Sequence, residues 1–322
     1  MLSGVPLTLF IADSRQHLVG TLTDGDIRRG LLAGASLDDS VQSVMHRKFR
    51  YLRRGDEDAS RYFRQARELQ LAVLPVLDDD DKLLDIIDLR ETSAMLPLDA
   101  VLMAGGRGER LRPLTEKTPK PLLPVGDKAI IDYNVEALRK CGISNIFVTV
   151  NYLHEQIETH FSESTHLNSV KCVLEPSPLG TFGSIGLVSG LKHRNVLVMN
   201  SDLLTTINFE KMYEHHMASG ASLTMAVTTY TVSVPYAIVR TRDDRVESFQ
   251  EKPSYNFFAN AGIYIVEREL LSSVTGHERV DATDFIDSLL AQGKKVAYFP
   301  IDGTWIDIGS PDDYALACKK QL

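Results

Sequence analysis

A loop rich in glycine and arginine is the part of the sequence best suited to chemistry. The stretch AGGRGERLRPLT at 104–115 follows the apolar run DAVLM and contains three glycines and three arginines. Glycines let backbone N–H groups approach phosphate oxygens closely, and arginines supply fixed positive charge. The loop therefore predicts a site for a small polyanion. The basic side chains in and after it are Arg107, Arg110, Arg112, Lys117 and Lys120.

Two common phosphate-binding loops do not fit this stretch. A dinucleotide fingerprint reads G-x-G-x-x-G, and Leu111 stands where the third glycine would follow Gly106 and Gly108. A P-loop ends in G-K-[ST], which is absent. A plain turn would not require Arg110 and Lys120 beside it. The loop is therefore interpreted as a phosphate site of another kind.

Two aspartates are candidates for a ligand-binding site. Asp202 follows the apolar run VLVMNS, and Asp307 lies in GTWIDIG beside the sole tryptophan. A carboxylate at the carboxyl end of a parallel strand points into the ligand crevice. On the residues alone, Asp202 could instead cap a helix and Asp307 could form a turn.

The composition excludes several classes of protein. A net charge of −8 argues against a nucleic-acid binder, and no apolar run is long enough to predict a membrane span. The three cysteines form no CxxC pair, so we expect a reducing cytoplasm rather than a disulfide framework. The sequence contains no G-x-S-x-G elbow and no H-E-x-x-H spacing, so catalysis by a protein nucleophile is not expected.

Alternating strands and helices must position these residues. Strands are predicted at 99–103, 146–150, 170–174, 195–199 and 222–229, with helices at 129–140, 154–161 and 208–218. This alternation predicts an α/β fold with a mostly parallel, Rossmann-like sheet. The runs at 236–242, 245–250 and 261–267 predict antiparallel strands added to that sheet. His215 and His216, on the third helix, are expected to be solvated.

The segment AGGRGERLRPLTEKTPKPLLPVGDKAIIDY at 104–133 resembles the sugar-1-phosphate nucleotidyltransferases. Their pattern is roughly G-G-x-G-x-R-L-x-P-L-T followed by P-K-P-L-L-P-V. The resemblance extends over nearly all of 98–322 and implies a fold like that of the GT-A enzymes. It also implies a Mg²⁺-dependent reaction in which a nucleoside triphosphate (NTP) and a sugar 1-phosphate give an NDP-sugar and pyrophosphate.

The same resemblance implies roles for particular residues. The glycines wrap the nucleotide, Arg110 holds the departing phosphates, and the lysines of the PKP and EKP motifs contact phosphate. The implied catalytic residues are Arg110, Lys120 and Lys252; the nucleotide-binding residues Gly105, Gly106, Gly108, Gly180 and Thr181; the sugar-binding residues Glu251, Asn260 and Gly262; and the metal ligands Asp202 and Asp307.

One motif departs from the family pattern. LEPSPLGTFGS at 174–184 is similar to E-x-x-P-L-G-T-A-G-A, but Phe182 and Ser184 replace the usual small alanines. This leaves recognition of the base open. Glu175 could lie near the sugar or could be an ordinary surface residue.

The N-terminal region resembles a different family. HLVGTLTDGDIRRGLL at 17–32 is similar to the second half of a cystathionine-β-synthase (CBS) module, and 41–95 to a complete second module. The organisation so implied is a partial module at 1–40, a module at 41–95 and an α/β domain at 98–322. We expect the first module to lack its opening elements and either to be poorly ordered or to need a partner chain. Thr23 and Asp26 match positions that contact adenine nucleotides in that family, although a spacer or dimerisation element without a ligand is an alternative.

The combination of both regions favours one activity over its alternatives. The arrangement of CBS modules ahead of this domain resembles that of guanylyltransferases for mannose 1-phosphate or glucosamine 1-phosphate. This resemblance favours GTP as the nucleotide donor. Such enzymes serve surface-polysaccharide or nonulosonic-acid biosynthesis. Uridylyl or thymidylyl transfer is the alternative reaction, and an inactive nucleotide-binding regulatory subunit is the alternative of another class. We expect a homo-oligomer.

Overall fold

The computed structural model describes residues 7–53, 59–164, 167 and 169–320. The chain divides into two units, Met1–Pro97 with Arg139–Gly142, and Leu98–Leu138 with Ile143–Leu322. Each unit has its own sheets and its own buried apolar residues. None of the helices in the described ranges combines the length and the apolar composition that crossing a membrane requires.

The smaller unit contains two small sheets. Its elements are β1 (Thr8–Ala12), β2 (Leu18–Thr23), α1 (Asp24–Leu32), β3 (Leu52–Arg53), α2 (Ala59–Glu68), β4 (Val73–Leu77) and β5 (Leu83–Asp88). β1 pairs antiparallel with β2, while β3, β4 and β5 form the second sheet. Phe63 and Ala66 of α2 pack on Leu52 and Leu74 of that sheet. The resemblance of this unit to CBS modules stays a prediction.

The larger unit is built on a seven-stranded mixed sheet. In order across the sheet, its strands are β10 (Lys171–Leu174), β9 (Ile146–Val150), β6 (Leu98–Ala104), β11 (Asn195–Asn200), β16 (Ser254–Glu267), β13 (Leu223–Ser233) and β17 (Val296–Pro300). The first four are parallel, β16 is antiparallel to both neighbours, and β17 is parallel to β13. The predicted α/β class, with parallel strands and antiparallel additions, is therefore confirmed.

Helices and short strands complete this unit. They are β7 (Pro124–Val125), β8 (Lys128–Ala129), α3 (Ile130–Lys140), α4 (His154–Glu163), α5 (Gly180–Gly183), β12 (Leu203–Thr205), α6 (Phe209–Ser219), β14 (Ile238–Arg242), β15 (Arg245–Gln250), α7 (Ala282–Ala291), β18 (Trp305–Asp307) and α8 (Pro311–Lys320). All five residues of β9 are buried, as expected for a strand covered on both faces. The glycine-rich loop is followed by isolated helical turns, and the first α-helix of this unit, α3, begins at Ile130.

One part of the predicted sheet is organised differently. β14 and β15, predicted as strands of the main sheet, pair only with each other and form a separate exposed hairpin. The runs and the short turns between them were sufficient to predict strands. They could not identify the partners of those strands, because pairing depends on contacts distant in sequence.

A buried aspartate holds together the edge of the sheet opposite the glycine-rich loop. The side chain of Asp99, at the start of β6, has no exposed surface. One oxygen accepts hydrogen bonds from the amides of Lys192 and His193, and the other accepts one from the Asn145 side chain and lies 3.0 Å from His193 Nδ1. Burial raises the pKa of Asp99, but these hydrogen bonds outweigh it and hold the pKa below the usual value of 3.8.

We expect Asp99→Asn to destabilise this unit by about 2 kcal/mol at neutral pH, because a buried charge-assisted network loses its negative charge and one of its two acceptor oxygens. The wild-type contribution is present above the unfolded pKa and is lost as pH falls through the lowered native pKa. Denaturant unfolding measured at neutral pH and at steps below about pH 5 should therefore show the two proteins converging in acid. Asp302→Asn, at an exposed position, is the control. Parallel pH profiles for wild type and Asp99→Asn would contradict this role.

Two further titratable groups, one buried and one partly buried, are electrically neutral. His216, which was expected to be solvated, is buried and lies within hydrogen-bonding distance of Thr224 and Asn195. Burial lowers its pKa, so the ring is neutral at physiological pH. Burial also raises the pKa of the Cys172 thiol to about 11, with a smaller contribution from the charge of Glu158. Cys172 is therefore protonated and is not a thiolate nucleophile.

Candidate active site

The glycine-rich loop and Asp202 leave neighbouring strands at the same edge of the sheet. β6 and β11 are parallel and adjacent, and Met103 pairs with Asn200 near their ends. The loop begins at Gly105, directly after β6, and Asp202 follows β11 closely. The carboxyl ends of parallel strands border the ligand crevice of α/β sheets. The fold therefore places both sequence features at one crevice.

Asp307 reaches the same place through a separate two-stranded sheet. β12 and β18 run antiparallel, with Leu203 directly opposite Asp307. The amide of Ile308 also donates to the carbonyl of Asp202 at 3.3 Å. Backbone pairing therefore holds two aspartates beside each other, although they are distant in sequence.

Lys120 lies between the two carboxylates. It begins a single helical turn, Lys120–Leu122, directly after Pro119. Its Nζ contacts Oδ2 of Asp202 and lies 3.7 Å from Oδ1 of Asp307. Only 12% of the Lys120 side chain is exposed, so solvent screens these contacts weakly. The structure thus brings together three residues predicted from motifs far apart in the chain.

The two aspartates form a suitable site for a divalent cation. The pKa of Asp307 lies above its usual value. Burial raises it most and the negative charge of Asp202 raises it further, while the positive charges of Lys120 and Arg110 partly oppose this. Oδ1 of Asp202 is buried and has no hydrogen-bond partner within the described ranges. An unsatisfied carboxylate oxygen beside a second carboxylate fits a hard cation such as Mg²⁺, which commonly takes one or two carboxylates plus phosphate and water oxygens. Among the described residues, no group of three or more acidic, histidine or cysteine side chains could hold a metal.

Two adjoining clefts at this edge share Gly106, Lys120 and Asp202. Their volumes are about 360 Å³ and about 340 Å³, which is the size range of small-molecule sites. Arg110 is exposed in the second cleft, where its guanidinium is available to a ligand. The first cleft is also lined by Gly105, Glu175, Gly180, Thr181, Arg279 and Asp281, and the second by Gly108, Arg110 and Gly309.

Gly180 and Thr181 form one wall of the first cleft. Gly180 has a φ of +78°, and a Cβ there would lie 2.7 Å from both the Val280 carbonyl oxygen and an Asp281 carboxylate oxygen. Only glycine fits without displacing this backbone. The Thr181 amide donates to Asp281 at 3.1 Å, and the Thr181 hydroxyl accepts from the Ala282 amide at 2.8 Å. The sequence did not single out Asp281, whose only signal is its position directly before α7.

Glu175 also borders this cleft, and the sequence left its position open. The side chain is buried, and a Cβ on Gly105 would clash with its carboxylate. Burial raises the pKa of Glu175, opposed by hydrogen bonds from the Leu179 amide and the hydroxyls of Thr149 and Ser184. The available signal was its position directly after β10, at the same carboxyl edge as the glycine-rich loop. Glu175 is therefore a buried cleft residue and not a surface residue.

The departures from the family motif lie beneath the cleft. Phe182 is fully buried, with its ring centroid 5.2 Å from that of Tyr264 and 5.0 Å from that of Phe285. Ser184 is buried and donates to the hydroxyl of Thr149 at 3.0 Å. Neither side chain lines the two clefts. Because Phe182 is larger than the alanine of the family pattern, it alters the packing of the core. The wall of the cleft is still formed by Gly180 and Thr181.

The residues predicted to bind the sugar lie outside these two clefts. The Asn260 side chain accepts from the Gly262 amide at 2.9 Å, within its own strand. Gly262 packs against Asn200, because a Cβ on Gly262 would lie 2.5 Å from the Asn200 side-chain nitrogen. Glu251 and Lys252 are exposed and border neither cleft. Their predicted roles remain predictions.

Thr23 and Asp26, in the smaller unit, cap the first helix. The Thr23 hydroxyl and amide donate to the Asp26 carboxylate at 2.6 and 2.9 Å. Thr23 also lines a cleft of about 550 Å³ with His46, Lys48 and Arg50, whereas Asp26 does not line it. The basic side chains suit an anionic ligand. Binding of an adenine nucleotide there stays a prediction.

Comparisons with known proteins give a consistent result for the larger unit. A D-glycero-α-D-manno-heptose 1-phosphate guanylyltransferase from Aneurinibacillus thermoaerophilus is 34% identical over 226 residues, which cover 69% of this chain and 98% of the relative. A mannose-1-phosphate guanylyltransferase from Mycobacterium tuberculosis is 30% identical over 226 residues, which cover 67% of this chain and 62% of the relative. The chain thus spans about three fifths of the length of that second relative.

A solved structure supports the same fold. HddC from Yersinia pseudotuberculosis superimposes with a TM-score of 0.56 at 26% identity, covering 70% of this chain and all of that protein. The profile of the nucleotidyl transferase family matches residues 99–322, the segment that holds the glycine-rich loop, Lys120 and both aspartates. Because this match includes more than half of the sequence, the chain belongs to the nucleotidyl transferase family of enzymes.

Proposed function

We propose that the chain transfers a guanylyl group from GTP to a sugar 1-phosphate, giving a GDP-sugar and pyrophosphate. The observation that carries the proposal is the meeting of Lys120, Asp202 and Asp307 beside the glycine-rich loop. Fixed charges in such a crevice can stabilise a polyphosphate without reorganisation during the reaction. The names of the heptose and mannose relatives support both the donor and the class of acceptor.

The chemistry requires positioning and charge but no general base. An oxygen of the sugar phosphate attacks the α-phosphorus, and the bond between the α-phosphorus and the pyrophosphate oxygen breaks. The attacking monoester is largely ionised at neutral pH, because its second pKa is about 6. Arg110 binds the departing phosphates, and Lys120 offsets the charge that develops around the α-phosphate. This division of roles is supported by the position of Arg110 in the second cleft and of Lys120 in both clefts.

We propose Mg²⁺ as the cofactor, held by Asp202 and Asp307. The support is the buried Asp202 oxygen without a partner and the raised pKa of Asp307, since a cation would stabilise both carboxylates. When bound, Mg²⁺ supplies positive charge that neutralises the phosphates brought together in the site. The positive charge of Lys120, which lies close to both carboxylates, contributes to the same neutralisation of negative charge.

The preference for GTP is supported by the chemistry of Glu175. Guanine presents two adjacent donors, N1–H and N2–H, and a carboxylate can accept both together. Uracil and thymine present a single N–H between two carbonyl oxygens, so one oxygen of Glu175 would face a carbonyl. Since Glu175 is buried in the wall of the first cleft, such an unpaired contact would be costly. We infer that Glu175 reads the base.

The acceptor is proposed as a hexose or heptose 1-phosphate bound near Glu251, Lys252, Asn260 and Gly262. The motif resemblance supports these residues, together with the packing of Gly262 against Asn200, which lines the first cleft. Lys252 would approach the sugar phosphate as a point charge. Roles in surface-polysaccharide or nonulosonic-acid biosynthesis stay predictions.

The experiment that tests the proposal is a panel of nucleoside triphosphates and sugar 1-phosphates, with pyrophosphate release as the readout. The panel contains GTP, UTP, dTTP and ATP, each paired with heptose, mannose, glucosamine and glucose 1-phosphates, with and without Mg²⁺. We expect release with GTP and at least one sugar phosphate, and a GDP-sugar identified by mass. Release with UTP or dTTP alone would favour the alternative reaction. No release from any pair would favour an inactive nucleotide-binding subunit.

A further inference from the structure

Part of the mixed sheet narrows to a two-stranded ribbon, which consists of residues 228–233 of β13 and 254–262 of β16. β17 pairs with β13 only as far as Val227, and β11 pairs with β16 only from Ile263 onward. Along the ribbon, no third strand of the described chain follows either edge. Two strands without further packing are marginal in water, and their free edges are templates for pairing with another chain.

One face of the ribbon is a row of large apolar side chains. Tyr230 lies directly opposite Phe257, and Val232 directly opposite Tyr255, so all four side chains share one face. Tyr230 is 61% exposed and Phe257 57% exposed. On the neighbouring β14–β15 hairpin, Phe249 pairs with Val239 and is 70% exposed. Side chains of this kind are normally covered in a stable assembly.

The exposed aromatic area of this surface is close to what one half of a stable interface buries. With about 200 Å² for each aromatic side chain and three fifths of it exposed, five such residues present roughly 600 Å². That area is at the upper end of the apolar patches found on soluble monomers, about 300–600 Å², and each partner in a typical specific complex buries about 800 Å². The five residues are Tyr230, Tyr236, Phe249, Tyr255 and Phe257.

The charges of this surface indicate which partner covers it. Residues 229–258 carry four basic and four acidic side chains, although the whole chain has a net charge of −8. The segment therefore has no net charge, whereas the negative charge of the rest of the molecule would repel a second copy. It lacks the excess of basic residues that nucleic acid or an anionic lipid surface would require. The charged residues are Arg240, Arg242, Arg245, Lys252, Asp243, Asp244, Glu247 and Glu251.

We propose that a second copy of this chain docks on the surface formed by the ribbon and the β14–β15 hairpin. The result is a symmetric dimer in which the same aromatic face of each copy covers the other, the commonest arrangement in soluble homo-oligomers. Glu251 and Lys252 join the hairpin to the ribbon, so the dimer encloses the segment that carries both residues. The inference rests on exposure, strand pairing and charge, and it does not depend on the proposed reaction.

Sedimentation velocity of the full chain tests the proposal over concentrations from about 1 to about 100 µM, where specific dimers of moderate affinity assemble. We expect wild type to form a dimer and the double variant Tyr230→Ser/Phe257→Ser to be a monomer. The matched control is Leu290→Ser on α7, which removes a 53% exposed apolar side chain outside the surface and should remain dimeric. A monomeric wild type, or a double variant that dimerises as wild type does, would overturn the proposal.

Hydrogen exchange on wild type provides a readout that does not depend on the folding of a variant. Amides in 229–233 and 254–258 should become more protected as protein concentration rises through the association range, while amides of α7 should not change. A dimer whose ribbon amides exchange as in the monomer would place the interface elsewhere and overturn the proposal. Flotation of monomeric protein with phosphatidylglycerol vesicles would also overturn it, in favour of a lipid partner.

Discussion

Replacing Asp202 with asparagine is expected to lower turnover by about 10³-fold, the size of effect seen when a fixed electrostatic group is removed from an active site. Asp202 contributes one of the two carboxylates of the cation site, and its buried Oδ1 has no partner within the described residues. Asparagine keeps the shape but removes the charge. The fold should be retained, because the pairing of Leu203 with Asp307 uses backbone atoms only.

The measurement is the rate of pyrophosphate release at saturating substrates, with thermal unfolding recorded in parallel. Removing the charge of Asp202 also removes one cause of the raised pKa of Asp307, so that pKa should fall in the variant. Asp302→Asn, an exposed aspartate close to β18, should keep wild-type turnover and serves as the control. A wild-type rate in Asp202→Asn would refute the assigned role even if the family membership stands.

Glu175→Gln is expected to change which nucleotide the enzyme uses. The substitution replaces one acceptor oxygen with an NH₂ donor, which meets the carbonyl of uracil or thymine but opposes a donor of guanine. A buried mismatch of this kind costs about 1–3 kcal/mol, so kcat/KM for GTP should fall by about 10–100-fold. The value for UTP or dTTP should rise at the same time. A general loss of stability would lower all the values together.

The comparison is made from kcat/KM for GTP, UTP and dTTP with the best sugar phosphate from the panel. Glu155→Gln makes the same chemical change on α4, where the side chain is 75% exposed, and should leave all three values unchanged. An unaltered preference for GTP in Glu175→Gln would mean that another group reads the base. In that case the proposed transfer reaction would still stand, since it depends on Lys120 and the two aspartates.

Most strands of the sheet could be predicted because each corresponds to a local run of apolar residues. The predicted strand at 146–150 coincides with β9, and the predicted strand at 99–103 lies within β6. The β14–β15 hairpin shows the limit, since a local run identifies a strand but does not identify its neighbours. His216 shows a similar limit: its burial depends on Thr224 and Asn195, which belong to other elements.

The candidate site divides in the same way. The positions of the glycine-rich loop and Asp202 could be predicted from sequence because each closely follows a predicted strand. The two strands, β6 and β11, are parallel neighbours, so the loop and Asp202 lie at the same edge of the sheet. Asp307 required the β12–β18 pairing, which no local pattern predicts. Glu175 belongs to the LEPSPLGTFGS motif, but the motif does not show that its side chain is buried, which depends on Gly105, whose missing side chain leaves room for the carboxylate. Contacts between distant loops are therefore the part that sequence patterns could not supply.

The pairing of β12 with β18 has a consequence for synthesis on the ribosome. A growing chain acquires the glycine-rich loop, Lys120 and Asp202 long before Asp307 is translated. Until β18 emerges, Leu203 has no opposing strand and the second carboxylate is absent. A partly translated chain therefore cannot assemble the pair of aspartates. Nascent chains should consume no nucleotide, and activity should begin only once this late segment has folded into place.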